Sequence, residues 1–320
     1  MGELGATPSD IGLVVGVGTV AAALVILPAA LLADRYGRRP LLIASSTSGM
    51  LGALAFLPLT DWRGAFVGSV LYWSAISGLP MVTAHVARVE GRDRMGHAMG
   101  VVYGAFFAGI IVASPLSGML AAAVGPRWAI GAGVILFGLS TVAVTRIRRT
   151  PPAHEVVARR LGRPFWTLLA VTPLAGLIAH LAVPLLPVYF RSHLGVPLEQ
   201  VGIYIALFAA GAATLGLVAG GLPLALGALF LGANVAGDPV IAATLQRILP
   251  AERTAFGYAA FQLAYTAGQG GAALIGGRLY ETAASLPLLV SAALALPLSA
   301  VVALVVTGMT RRAAAQTHPS

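Results

Sequence analysis

Polar side chains recur at helical spacing within one apolar stretch of the sequence. Tyr258, Gln262, Tyr265 and Gln269 are separated by four, three and four residues, which places them on one face of a single helix. Amides and phenols bind neutral or weakly polar solutes by hydrogen bonding and stacking. The pattern therefore predicts a solute-binding cavity; hydrogen bonds that join neighbouring helices are the alternative.

Two ionisable residues inside apolar runs are candidates for proton coupling. Asp238 is the only acidic residue in the interior of such a run, with Asn234 one turn before it and Pro239 directly after. A carboxylate in hydrocarbon is costly, so Asp238 should be protonated or face water, and Asn234 joins the cavity candidates. His180 is the second coupling candidate, with a hydrogen-bonded structural histidine as the alternative.

The composition indicates that membrane helices must position these residues. Hydrophobic residues make up 58% of the 320 residues and charged residues 10%, and the mean hydropathy is +0.88, which leaves too little polar surface for a water-soluble protein. We predict an all-α, polytopic membrane helical bundle with about 10 transmembrane helices. The apolar runs are 11–33, 40–59, 64–88, 97–124, 128–146, 165–190, 202–221, 223–247, 255–279 and 284–307.

The charged residues exclude several classes of function. All 20 basic residues are Arg, and almost all lie in short loops, so the net charge of +9 reflects membrane topology and predicts no nucleic-acid binding. The chain contains no Lys and no Cys, which excludes a P-loop lysine, a retinal or pyridoxal Schiff base and thiolate chemistry. No catalytic or metal-ligand spacing is present, so we predict no enzyme activity, no cofactor and no metal.

A single hydrophilic stretch divides the apolar runs five and five. It carries six Arg and one Glu between Arg146 and Pro164 and predicts a cytoplasmic linker. The predicted organisation is an N-terminal helical half at 1–147, an Arg-rich linker at 148–163, a C-terminal helical half at 164–310 and a short polar tail at 311–320. Each half contains a helix that should end before a short charged loop, Gly91–Gly96 in the first and Pro250–Gly257 in the second.

A row of small residues marks the start of the fourth apolar run. Gly96, Gly100 and Gly104 are four residues apart, a pattern that allows two membrane helices to approach closely. The same run later contains Ser114, Pro115 and Gly118.

The loop between the first two apolar runs carries a family resemblance. Residues 31–40 read LLADRYGRRP, and the pattern D-R-x-G-R-R resembles the loop between the second and third helices of the major facilitator superfamily. The resemblance implies a secondary transporter that moves a small organic solute by alternating access between two helical halves. It also implies that this loop is a cytoplasmic gate, with a topological anchor as the alternative. The gate residues would be Asp34, Arg35, Gly37, Arg38 and Arg39.

The sequence AGIIVASPLSGML resembles, in part, the fifth-helix motif of antiporters in that family. Pro115 and Gly118 match, whereas Ser114 replaces a glycine, and a simple proline kink is the alternative. The resemblance slightly favours efflux by antiport. Against proton coupling, Ser74 stands where many proton antiporters of the family carry an Arg.

The resemblance departs from the twelve-helix pattern in two places, from which we expect the given sequence to lack counterparts of the family's first and ninth helices. Two further classes of function therefore stay open: a truncated, transport-inactive membrane protein, and a membrane scaffold that needs a partner chain. The implied location is the bacterial cytoplasmic membrane. The sequence gives no prediction of the number of copies in which the protein assembles.

The arginines leave two arrangements of the second half open. Ten literal crossings place 13 Arg on the cytoplasmic side and seven outside, whereas a single net crossing over 202–247 places 16 inside and four outside. The second arrangement needs a re-entrant or interfacial piece, because those residues cannot supply three spans of about 20 residues each.

Overall fold

The structure, a computed structural model, describes residues 4–147, 161–207, 245, 249, 254–295, 297–298 and 300–301. Within these residues the side chains of Asp34, 87–93, 95–96, Pro164 and 254–255 are not described. The described part of the chain is helical and contains no strand, as the sequence predicts. Asn234, Asp238 and most of the linker lie outside the described residues.

The first half is built from five helices. The first, α1, is opened by a capping box in which Thr7 and Asp10 satisfy each other's free backbone N–H groups. It ends at Tyr36, and Gly37 follows with a φ of +87°, a conformation that glycine adopts readily. The next helix starts directly after it, at Arg38. The helices are α1 (Pro8–Tyr36), α2 (Arg38–Ala55), α3 (Ala65–Ser74), α4 (Gly78–Val124) and α5 (Pro126–Thr145).

The second half begins with α6 (Arg163–His180). The predicted run 165–190 is not one regular helix, because Pro184 and Pro187 each remove a backbone donor. A 3₁₀ turn, Val183–Leu185, is followed by α7 (Leu186–Val188) and the π-helical Tyr189–His193. The remaining described helices are α8 (Leu198–Leu207), α9 (Thr254–Thr282) and α10 (Leu286–Ala295).

Helical structure in α4 continues through the connection that was expected to break it. The predicted end before Gly91 is wrong, since α4 runs from Gly78 to Val124 and no proline interrupts residues 87–96. The two spans that α4 connects, Trp62–Val86 and His97–Val124, nevertheless run antiparallel. Val86 and Met99 pack into the same hydrophobic cluster at one end, and Arg127 donates to the carbonyl oxygen of Leu59 at the other.

Five helical stretches are long and apolar enough to cross a membrane. Large apolar side chains face outward along them, including Leu24 at 71% exposure and Val67 at 65%. Such surfaces suit lipid rather than water, and the protein is an integral membrane protein. The five stretches are Pro8–Ala33, Trp62–Val86, His97–Val124, Pro126–Thr145 and Phe165–His193.

The helix α9 is the centre of the described bundle. It packs along α1 from the first half and along α6 from the second, whereas α1 and α6 make few contacts with each other. The start of α9 lies beside the end of α1, where Ala259 packs with Ile26 and Ala30. Its end lies beside the start of α1, where Gly277 meets Pro8. The two helices are therefore antiparallel, and α9 separates α1 from α6; the region between α1 and α6 along α9 is called the cleft below.

Candidate solute site in the cleft between α1 and α6

The four polar residues of α9, here called the inner stripe, lie along this cleft. One face of α9 meets α6 and Leu181 directly after it, at Gly268 and Gly276, and another meets α1, at Gly270 and Gly277. At about 100° of rotation per residue, the four polar residues lie between these two faces. The exposed Arg278 lies on roughly the opposite side of the helix. The inner stripe consists of Tyr258, Gln262, Tyr265 and Gln269.

The structure brings Tyr265 and Gln269 together with His180 from α6. The amide Nε2 of Gln269 lies 2.8 Å from His180 Nε2, and the Tyr265 and His180 rings meet edge to face at 5.6 Å between centroids. His180 Nδ1 lies 3.3 Å from the carbonyl oxygen of Gly176. This group of three residues joins an amide, a phenol and an imidazole at one level of the bundle.

Gln262 lies nearly two turns closer to the start of α9 and is held by its own helix. Its Nε2 donates a hydrogen bond of 3.2 Å to the hydroxyl of Thr266, which is fully buried. Thr266 belongs to the polar lining but was absent from the predicted site. Its spacing of four residues from Gln262 was the available signal.

Tyr258 lies apart from the polar group, in a hydrophobic cluster at one end of the cleft. Met99 of the first half packs there with Phe165, Tyr258 and Phe261 of the second half. This is the end of the bundle that holds residues 34–39, called the Arg-loop end below, because Tyr258 lies one residue before Ala259 at the end of α1. The cluster closes the cleft at the Arg-loop end.

Backbone contacts close the opposite end. A methyl group at Gly12 would overlap the carbonyl oxygen of Ala273, and one at Gly277 would lie 2.7 Å from the carbonyl oxygen of Pro8. The backbone N–H of Ser9 donates to Glu281 Oε1 at 3.1 Å, and hydrogen bonding by Ser9 lowers the pKa of the exposed Glu281 carboxyl. The sequence analysis missed the glycines of this contact, which are spaced four residues apart in α1 (Gly12 and Gly16) and seven apart in α9 (Gly270 and Gly277).

The predicted gate loop is anchored within the first half. Arg38 is 8% exposed and donates from Nη1 to the carbonyl oxygen of Ala84 at 2.9 Å, while Arg39 donates to the carbonyl oxygen of Thr145. The two arginines therefore tie α2 to α4 and α5. Arg35 lies over the Tyr36 ring at 5.4 Å, and the side chain of Asp34 is not described.

The antiporter-like segment of α4 lies at the interface between the two halves. A Cβ built at Gly118 would lie 3.1 Å from the carbonyl oxygen of Leu198, and one at Gly202 would overlap the backbone of Ser114. By contrast, no described atom lies within 4 Å of a Cβ built at Gly100 or Gly104. At Gly100 and Gly104, two of the three glycines of the predicted row, the described part of the chain therefore brings no helix close, and close packing occurs at Gly118 instead.

The family model of the Major Facilitator Superfamily matches residues 1–223. Because this match covers more than half of the chain, the protein belongs to the Major Facilitator Superfamily. It is similar in sequence to the multi-drug resistance efflux pump PmrA of Streptococcus pneumoniae, with 28% identity over 156 residues. The aligned region covers 45% of this chain and 37% of the pump, so the chain matches only about a third of its relative's length.

Two solved transporters share the fold. The human organic anion transporter MFSD10 (TETRAN) superimposes with a TM-score of 0.67 at 15% identity, over 90% of this chain and 82% of that one. The nucleoside transporter NupG, as its D323A mutant, gives a TM-score of 0.67 at 12% identity, over 96% and 92%. At these identities the likeness concerns the fold alone.

Proposed function

We propose that this protein exports a small neutral organic solute across the bacterial cytoplasmic membrane by alternating access. One observation carries the proposal: a polar group between two helices of the second half, α6 and α9, on the side of α9 next to its contact with α1 of the first half, formed by Gln269, Tyr265 and His180. A polar group at this depth is costly unless it serves a solute or a structural hydrogen bond. Its enclosure at both ends suits an occluded intermediate, from which either end could open.

The direction of transport rests on two weaker observations. The relative in Streptococcus pneumoniae is a multi-drug efflux pump, and the segment around Pro115 and Gly118 has the partial antiporter pattern. Both favour export. Proton coupling stays a prediction for Asp238, which lies outside the described residues, and Asp238→Asn should abolish proton-driven flux if that residue carries the proton.

Export can be tested in a bacterial strain that lacks its own efflux pumps. Cells that express the protein should expel at least one of a panel of neutral fluorescent aromatic compounds faster than vector cells, once they are energised with glucose. The matched control is Gln269→Leu, which keeps the size of the side chain and removes its amide. Equal rates in expressing and vector cells across the whole panel would contradict the proposal.

The second candidate is that the protein transports nothing, or that it acts only together with a partner chain. It is favoured by the small burial of two spans: none of the apolar window of α5 and 6% of that in His97–Val124 lies inside the described bundle. A stoichiometric partner after mild solubilisation would support it. Flux from liposomes that contain only this chain would exclude the need for a partner.

A further inference from the structure

The hydrogen bonds of His180 define which of its nitrogens carries the proton. The carbonyl oxygen of Gly176 can only accept a hydrogen bond, so the Nδ1 that faces it at 3.3 Å carries the hydrogen. In a neutral ring Nε2 is then an acceptor, and it accepts from the amide nitrogen of Gln269 at 2.8 Å. His180 therefore fixes the orientation of the Gln269 amide, with the nitrogen toward the ring.

The other end of the same amide is unpaired within the described part of the chain. Gln269 Oε1 is buried and accepts no hydrogen bond from any residue that the structure describes. An unpaired buried acceptor destabilises a structure, so such groups are uncommon unless a ligand or water supplies the donor. With one N–H of the amide donated to His180, Oε1 is the amide atom that has no partner among the described residues.

The surroundings of Gln269 restrict the kind of molecule that could supply the donor. The charged residues of α1, α6 and α9 lie near the helix ends, so no described charge from these helices faces the middle of the cleft. Aromatic rings form its wall: Phe261 and Tyr265 are nearly parallel at 6.2 Å, and Tyr265 meets His180 at 5.6 Å. The charged residues are Asp10, Asp34, Arg35, Arg163, Arg278 and Glu281.

We infer that Gln269 Oε1 accepts a hydrogen bond from a neutral, planar aromatic solute that carries an N–H or O–H donor, and that His180 is the positioning residue for this acceptor. The inference rests on the proposed function, since it names the solute class of the same site. The protein should therefore bind a planar aromatic solute that carries a donor more tightly than one of the same shape that lacks it, because a ring without a donor leaves Oε1 unpaired.

A matched pair of fluorescent probes tests this preference. Acridone and 10-methylacridone are both neutral and planar, and only acridone has an N–H donor. Binding to the full chain in lipid nanodiscs is measured by fluorescence anisotropy, with empty nanodiscs subtracted. We expect acridone to bind about tenfold more tightly, the size of effect that a lost hydrogen bond to a buried acceptor produces.

Variants separate the acceptor from its support. Gln269→Leu should bind both probes equally, and so should His180→Leu, in which the amide is free to turn. His180→Gln can still accept from the Gln269 amide nitrogen and should restore part of the preference. Gln200→Leu, on the exposed surface of α8, is the control and should keep it in full. Size-exclusion profiles establish that each variant is folded.

Three outcomes would overturn the inference. The first is equal affinity of the two probes for the natural sequence, which would indicate that water satisfies Oε1. The second is a preference that survives Gln269→Leu, and the third is no binding of either probe above empty nanodiscs. Because binding requires no flux, a protein that binds acridone with this preference but exports nothing would leave the inference standing and remove the transport proposal.

Discussion

Arg38 shows how one residue of a recognised loop motif acts in this chain. Its guanidinium is almost fully buried, and its bond to the Ala84 carbonyl oxygen joins the start of α2 to α4. Breaking a buried hydrogen bond to a charged group destabilises a protein more than breaking an exposed ion pair, because the group left behind is buried without a partner. The contacts described for this loop stabilise the first half, whatever further part it has in gating.

Replacing Arg38 should therefore destabilise the protein more than replacing an exposed arginine. We expect Arg38→Ala to lower the free energy of unfolding by about 1.5–3 kcal/mol, because a hydrogen bond to a charged group is lost. The control is Arg63→Ala, since Arg63 pairs with Asp61 at 3.2 Å with side chains 73% and 55% exposed. Thermal unfolding in detergent measures both, and equal midpoints for the two variants would refute the structural role of Arg38.

At this scale the sequence predicted which residues share a surface but not their partners. The spacing of Gln262, Tyr265 and Gln269 sufficed to place them on one face of α9. The hydrogen bond between Gln269 and His180 could not be predicted, because it joins residues 89 positions apart and depends on the relative height of α6 and α9. The packing of Tyr258 in the hydrophobic cluster was unpredictable for the same reason, since Met99 and Phe165 belong to other helices.

The helix α9 is packed through small residues on two sides. Gly268 and Gly276 admit the backbone of α6, and Gly270 and Gly277 admit that of α1. Without a hydrophobic driving force in lipid, such close backbone contact is a main source of helix association. The contacts with α1 belong to the boundary between the halves, where the alternating access proposed above would require movement.

A methyl group at this boundary should be tolerated poorly. We expect Gly12→Ala to destabilise the protein by about 1–3 kcal/mol, because its Cβ overlaps the Ala273 carbonyl oxygen and the helices must separate. Gly133→Ala is the control, because no described atom lies within 4 Å of a Cβ at this position. Replacing a glycine in the middle of a helix by alanine should raise the free energy of unfolding by up to about 1 kcal/mol. We expect Gly12→Ala to lower the midpoint of thermal unfolding and Gly133→Ala to raise it. A higher midpoint for Gly12→Ala would contradict the observed packing.

Helix positions were predicted better than helix ends. The apolar runs place α1, α2 and α5 correctly because each is bounded by Gly, Pro or Arg. The break within 165–190 and the continuity of α4 were missed, since hydropathy reports which residues avoid water and carries no information on local hydrogen bonding.

The whole molecule has two closures of different construction. Interlocking side chains around Met99 and Phe165 seal the Arg-loop end, whereas backbone contacts at Gly12, Gly118 and Gly202 seal the opposite end. Both join the two halves, so opening either end requires the halves to move apart there. The family resemblance predicted this division into halves, but it contained no information on how the halves meet at either end.

The orientation of α9 distinguishes the two arrangements that the arginines left open. The chain enters α8 at the opposite end, where Leu198 meets Gly118, and it enters α9 at the Arg-loop end, where Ala259 meets Ala30. Residues 208–244 lie outside the described residues, so the single net crossing over 202–247 stays a prediction. It is the arrangement that agrees with these two positions and with the stronger arginine bias toward the cytoplasm.

Single cysteines in this naturally Cys-free chain can test the orientation directly in intact cells with a membrane-impermeant thiol reagent. Ala251→Cys should be protected, because residue 251 precedes α9 by only three residues and α9 starts at the Arg-loop end. Ala314→Cys should also be protected, because one further apolar run follows α9. Thr60→Cys, exposed at the far end of α2, should be labelled and serves as the accessible control. Labelling at 251 and 314 in the same cells would mean that α9 runs the other way across the membrane, and both the cleft between α1 and α6 and the solute site in it would have to be abandoned.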